Sequence, residues 1–158
     1  MFRKMRRNKQ ELSLADCIQI LKNEPRGVLS VIGDEGYPYG VPMDHWYDEE
    51  SGHIYFHCAK EGHKIDSIMR CDKASFCVYD KGYRNNGEWP LHIKSVIVFG
   101  RIKPVEDGDM TVKICSELCR KFTDDEEYIR RELSSAGSRV LCLELIPEHI
   151  SGKLVKES

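Results

Sequence analysis

The sequence predicts a mainly β fold with helices: a closed antiparallel barrel of about six strands. Three observations carry this prediction. The chain holds about six extended segments, most of them are joined by short turns, and only two or three helical insertions interrupt them. A parallel βαβ array would need a helix between every pair of strands, and this chain has too few.

The first element is helical. Leu14, Cys17, Ile18 and Leu21 recur at helical spacing between Leu12 and Glu24, with Ser13 placed to cap the segment and Pro25 placed to stop it. Val28 to Ile32 is rich in β-branched residues. Gly33-Asp34-Glu35-Gly36 then supplies turn chemistry before a second extended run from Tyr37 to Tyr47, so the two runs form a hairpin. After a turn at Asp48 to Gly52, the stretch His53 to Cys58 alternates, with Ile54, Phe56 and Cys58 on one face and Tyr55 and His57 on the other.

Beyond Gly62 the period changes, and Ile65, Ile68 and Met69 predict a short helix from His63 to about Cys71. Ala74 to Asp80 and Leu91 to Lys103 read as strands. The loop between them, Lys81 to Gly87, has two glycines and paired asparagines and is a candidate lid. Asp109 to Lys121 and Asp124 to Leu133 carry helical patterns, and Arg139 to Ile146 reads as a last strand, ended by Pro147.

The 158 residues suit one domain spanning 1–158. Hydrophobic residues make up 41% and charged residues 32%, a balance that fits neither a disordered chain nor a membrane-embedded one. No apolar run approaches the roughly 20 residues that span a bilayer. The basic start, Met1 to Arg7, leads into polar residues rather than the apolar core of a signal peptide, and the seven cysteines form an odd set, several in apolar stretches. A cytoplasmic protein with reduced thiols is expected. The formal net charge of -2 gives no electrostatic reason to expect a nucleic-acid partner, so any anion site must be built locally.

The densest set of chemically capable residues is Tyr55-Phe56-His57-Cys58-Ala59-Lys60-Glu61-Gly62-His63-Lys64, where a strand ends and a helix begins. A glycine at the junction, unpaired helical N–H groups and two basic side chains suit a phosphate, and a polar turn with solvated charges fits the same residues. Tyr37-Pro38-Tyr39-Gly40-Val41-Pro42-Met43-Asp44 is an extended run with two prolines. It predicts an edge strand with free main-chain groups, open to a flat heterocycle or simply protected from aggregation.

Taken in order, Pro38 to Pro42, Ile54 to Ala59, Glu61 to Asp66 and Lys94 to Gly100 resemble the pyridoxamine 5′-phosphate oxidase-like FMN-binding split β-barrels. The branch it resembles is that of the flavoproteins related to nitroimidazole-resistance proteins. The likeness runs from about Met5 to Lys153. It implies a six-stranded split barrel and a homodimer with FMN at the interface. Gly62-His63-Lys64 stands where the family has Ser-Arg-Lys, so the resemblance assigns His63 and Lys64 to the FMN phosphate. It places Phe56, His57, Cys58 and Ala59 along the ring and ribityl chain, Val41, Pro42, Met43 and Asp44 at the pyrimidine edge, and Lys94 and Ser95 as a further polar pair. Histidine in place of arginine implies a phosphate affinity that depends on pH.

The activity implied is flavin-dependent reduction of small aromatic acceptors by NADH or NADPH, with no catalytic acid or base assigned; His45, His57 and Tyr83 are candidates to line the open face of the ring. The alternatives are a non-catalytic flavin carrier or redox sensor and a haem-binding barrel with a histidine ligand. Pyridoxal phosphate synthesis is disfavoured, because the C-terminal arginine and tryptophan pattern of that oxidase is missing. No metal site is expected among His53, His57, Cys58 and His63: alternation points His57 and Cys58 to opposite faces, and no CxxC pair accompanies them.

Overall fold

A computed structural model describes residues 1–157; the last residue of the domain expected over 1–158, Ser158, lies outside the described residues. Seven strands, β1 (Arg26–Ile32), β2 (Pro38–Asp44), β3 (Trp46–Tyr47), β4 (Ile54–Ala59), β5 (Lys73–Tyr79), β6 (Leu91–Pro104) and β7 (Val140–Glu157), form one sheet in the order β2-β1-β5-β6-β7-β4-β3. Every pairing is antiparallel. β2 and β3 occupy opposite edges although only His45 separates them in the chain, so the sheet must curl until its edges meet, and β2 packs on β4. The result is a split barrel.

Burial follows the two-residue period. On β1 and β5, alternate residues (Leu29 and Val31; Ala74, Phe76 and Val78) point inward and are buried. They meet Phe56 of β4, Val96 and Val98 of β6, and Leu143 and Leu145 of β7 in the main core. Helix α1 (Leu14–Asn23) closes the barrel with Cys17, Ile20 and Leu21, and its cap is the expected one, since Ser13 Oγ accepts the Asp16 N–H. Helix α2 (His63–Arg70) packs against β1 and β6. Helices α3 (Gly108–Arg120) and α4 (Glu126–Ala136) follow β6; Ile114, Cys115 and Leu118 of α3 cover Tyr55 and Cys142 on the outside of β4 and β7.

The fold differs from the sequence expectation in two places. The extended run from Tyr37 to Tyr47 breaks at His45, which makes β3 a separate strand and brings the sheet to seven. The last strand does not stop before Pro147 but runs on to Glu157. The register explains how it passes the proline. Phe99 pairs with His149 and Gly100 with Pro147, so Glu148 is an extra residue in a bulge. A proline can sit in a bulge because no ladder N–H is required of it there.

A candidate phosphate site at the start of helix α2

β4 ends at Ala59, and three residues later Gly62 has φ 125° and ψ 173°, a backbone conformation open to glycine. The first bond of α2 follows, with the Asp66 N–H donating to the Gly62 carbonyl. The other three α-helices begin with a side-chain cap, from Ser13, Asp107 and Asp125, but α2 has none. Its leading N–H groups are therefore free to bind an anion. A Cβ built on Gly62 would meet nothing within 4 Å, so the space above the turn is open. Lys64 is half-buried beside this start and forms no ion pair among the described residues. Burial pushes the Cys58 thiol up, and the Lys64 ammonium acts against it, which places that charge near the end of β4.

His63 is engaged elsewhere. Its Nε2 accepts the Asp34 N–H at 3.3 Å and lies 3.6 Å from the Asp34 carboxylate, and its ring stacks on Tyr39 at 4.1 Å. Arg70, at the far end of α2, donates to the same carboxylate at 2.7 Å and holds Asp34 below its usual range. These contacts dock α2 on the turn between β1 and β2. They leave Lys64 and the leading N–H groups of α2 free at the helix start itself. Tyr39, Asp34 and Arg70 did not stand out in the sequence, although Tyr39 lies within the Pro38 to Pro42 motif.

The strand residues divide by face. The side chains of Phe56 and Met43 lie in the core, so only their main chains are available to a ligand, and Val41 packs inward at the core's edge. Cys58 points inward and is half-buried, whereas His57, Ala59 and Pro42 are exposed. Asp44 is paired with Arg26 Nε at 2.6 Å. Lys94 and Ser95 lie far from the helix start. Ser95 pairs with Tyr79 and Lys153, at the sheet level of Arg26 and Asp44, whereas His63 sits at the opposite end of the hairpin, by Asp34 and Tyr39. Along β2 that separation is roughly 20 Å at the usual rise per residue. The structure thus gathers His57 to Lys64 at one end and puts Lys94 and Ser95 at the other.

One further expectation is corrected. His45 does not line an open face: it is fully buried, its Nε2 donates to the Leu21 carbonyl at 2.7 Å, and its ring meets the Phe76 ring edge-on. Burial, reinforced by the Lys121 ammonium, lowers its pKa to about 3. Tyr83 is bridged to His92 by two main-chain hydrogen bonds and stacks on its ring at 4.8 Å. Asp80 Oδ1 accepts from the Gly82 and Lys94 N–H groups and Arg84 Nε donates to the Trp89 carbonyl, so the expected lid loop is pinned at its base. All seven cysteines are free thiols, and no helix of the described residues is long and apolar enough to cross a membrane.

A curled seven-stranded antiparallel sheet with an uncapped, glycine-led helix start beside the end of a strand defines a split-barrel protein with an open helix start at that junction. The chain belongs to the pyridoxamine 5′-phosphate oxidase family: residues 13–154 match that family's sequence profile. Among solved structures, it is similar to a candidate 5-nitroimidazole antibiotic resistance protein from Bacteroides thetaiotaomicron, with a TM-score of 0.76 and 18% identity over 93% of this chain and 87% of the other. An FAD-binding protein from Mesorhizobium loti aligns with a TM-score of 0.65 and 22% identity over 92% and 97% of the two chains. An FAD- and haem-binding protein from Mycobacterium smegmatis aligns with a TM-score of 0.70 and 18% identity over 92% and 73%. At these identities the likeness is one of fold. A comparison with curated protein sequences finds no match.

Proposed function

We propose that this protein is a cytoplasmic flavoprotein that binds FMN at a homodimer interface and reduces small aromatic acceptors with electrons from NADH or NADPH. The observation that carries the reading is the uncapped start of α2, with its open glycine turn and the unpaired Lys64. An FMN phosphate carries close to two negative charges, and helix N–H groups with one fixed cation suit it. Bound there, the flavin supplies hydride and electron transfer. The chain's part is to bind and orient: Lys64 and the α2 N–H groups hold the phosphate, and the exposed His57 and Ala59 border the approach along β4. The proline-bearing β2 is a sheet edge that offers main-chain groups to the ring. The flavin named for two of the similar structures is FAD, which contains the FMN phosphate, and both flavins fit this placement. The separation of Ser95 from Lys64 favours a dimer, in which Lys94 and Ser95 serve the partner's flavin. The seven free thiols favour a reducing compartment.

Titration of the purified protein with FMN, read by flavin absorbance, tests this. Lys64→Ala removes a charge-assisted contact of about 1.5 to 3 kcal/mol, so affinity should fall roughly ten- to hundredfold. Lys60→Ala, at an exposed position before the turn, should change affinity little, and riboflavin, which lacks the phosphate, should bind wild type and Lys64→Ala alike. Anaerobic bleaching of the bound flavin by NADH or NADPH, followed by reoxidation with nitroaromatic or quinone acceptors, distinguishes an enzyme from a flavin carrier. Failure to bind FMN together with a Soret band on adding haemin overturns the reading in favour of haem.

A further inference from the structure

The N-terminal segment crosses the outer face of β6 and β7 and is fastened there at two points. At one end Phe2 stacks on His149 at 4.8 Å and on Phe99 at 5.7 Å. At the other, Glu11 bridges to Lys153 and the Leu12 N–H donates to the Gly152 carbonyl. Between the fastenings lies a cleft of about 730 Å³, within the size range of small-molecule sites. Arg3, Lys4 and Arg6 line it from the arm, and Ser95, Ser151 and Lys153 line it from the strands. None of the four cations forms an ion pair among the described residues, and Glu11 is the one acidic residue in the lining. In a chain of net charge -2, this is a local concentration of unneutralised positive charge.

The lining combines three chemistries. Two guanidinium groups and two ammonium groups suit a chain of phosphates, and guanidinium binds phosphate oxygens in pairs. Phe2 and His149 form an aromatic wall on which a planar base can stack. The Ser151 hydroxyl has no hydrogen-bond partner among the described residues and can serve ribose or base edges. A single phosphate ion would use the first of these alone and leave most of the volume empty. The cleft is also separate from the start of α2 within one chain, because Ser95 lies at the opposite end of the sheet. We infer that this cleft between the N-terminal arm and β6–β7 binds a nucleoside diphosphate moiety, its phosphates held by Arg3, Arg6 and Lys153. The inference does not rest on flavin occupying the α2 site. The same moiety occurs in a nicotinamide donor and in the adenylate half of FAD.

Calorimetric titration of the full-length protein with ADP, adenosine and pyrophosphate tests it, with FMN titrated on the same preparations. ADP should bind the wild type, and adenosine and pyrophosphate should each bind about tenfold or more weakly, because each lacks one half of the recognition. The exposed double substitution Arg3→Glu/Arg6→Glu and, on the opposite wall, Lys153→Glu should each weaken ADP by about tenfold or more and leave FMN affinity unchanged. FAD and NADPH identify the source. If the substitutions weaken FAD but not FMN, the cleft holds the cofactor's own adenylate; if they weaken NADPH and leave FAD unchanged, it holds a separate donor. The inference fails if ADP does not bind, if pyrophosphate binds as tightly as ADP, or if both charge reversals leave ADP affinity intact. It fails too if FMN displaces ADP and Lys64→Ala abolishes ADP binding, which would place the nucleotide at α2. Loss of FMN binding in the wild type, with ADP behaving as expected, would overturn the flavin reading alone.

Discussion

Among single residues, His45 ties the stability of the fold to pH. It stands between β2 and β3, where the chain crosses from one sheet edge to the other, and the crossing turns its ring into the core. One ring nitrogen is satisfied by the Leu21 carbonyl, and the other, Nδ1, is buried without a partner. Lys121 fixes the main chain here, donating from Nζ to the carbonyls of Glu24 and His45 at 2.8 and 2.6 Å, and its ammonium disfavours a second positive charge nearby. The folded ring has a pKa of about 3, against about 6.5 in the unfolded chain. Between these values the unfolded chain binds a proton that the folded chain refuses. Stability is therefore fully present above pH 6.5 and is lost as pH falls towards 3. Urea midpoints measured from pH 7 to pH 4 should fall by the equivalent of up to about 3 kcal/mol. His45→Leu should flatten that slope, and an unchanged slope in the variant would remove His45 as its cause. The sequence could not show this burial, because an isolated histidine in an extended run reads equally as a pocket residue. Only the crossing between edges decides it.

Among elements, the helices are the most legible in the sequence, because their signals are local. Ser13 and Pro25 bracket α1, and the period change after Gly62 marks α2 to within a residue of its observed end. Less than half of β7 is legible in the sequence, because Pro147 looks like a stop until its partner strand is known. The pairing of Gly100 with Pro147 makes the longer strand possible. A Cβ on Gly100 would run into the Ile146 carbonyl, which is main chain and cannot move aside as a side chain would. Gly100→Ala should therefore destabilise the fold by on the order of 3 kcal/mol, seen as a lower thermal midpoint. A variant as stable as wild type would show that the bulge can relax.

Across the whole molecule, the motifs were legible in order but not in space. Gly62-His63-Lys64 and Lys94-Ser95 belong to one family pattern, yet the register sets them at opposite ends of the sheet, a distance that sequence spacing does not encode. The outer face of β5 and β6 has exposed Tyr79, Ile97 and Phe99, whereas α3 covers the outside of β4 and β7. The strand order also constrains how the chain reaches this state. β7, the last strand made, sits inside the sheet between β6 and β4, so neither neighbour can complete its ladder until residues 140–157 have been synthesised. Until then the growing chain carries two open edges and an unsealed core, and a share of its pairing must form at long sequence separation. Folding should be slow for the chain's length, with a window open to aggregation that closes only when β7 docks.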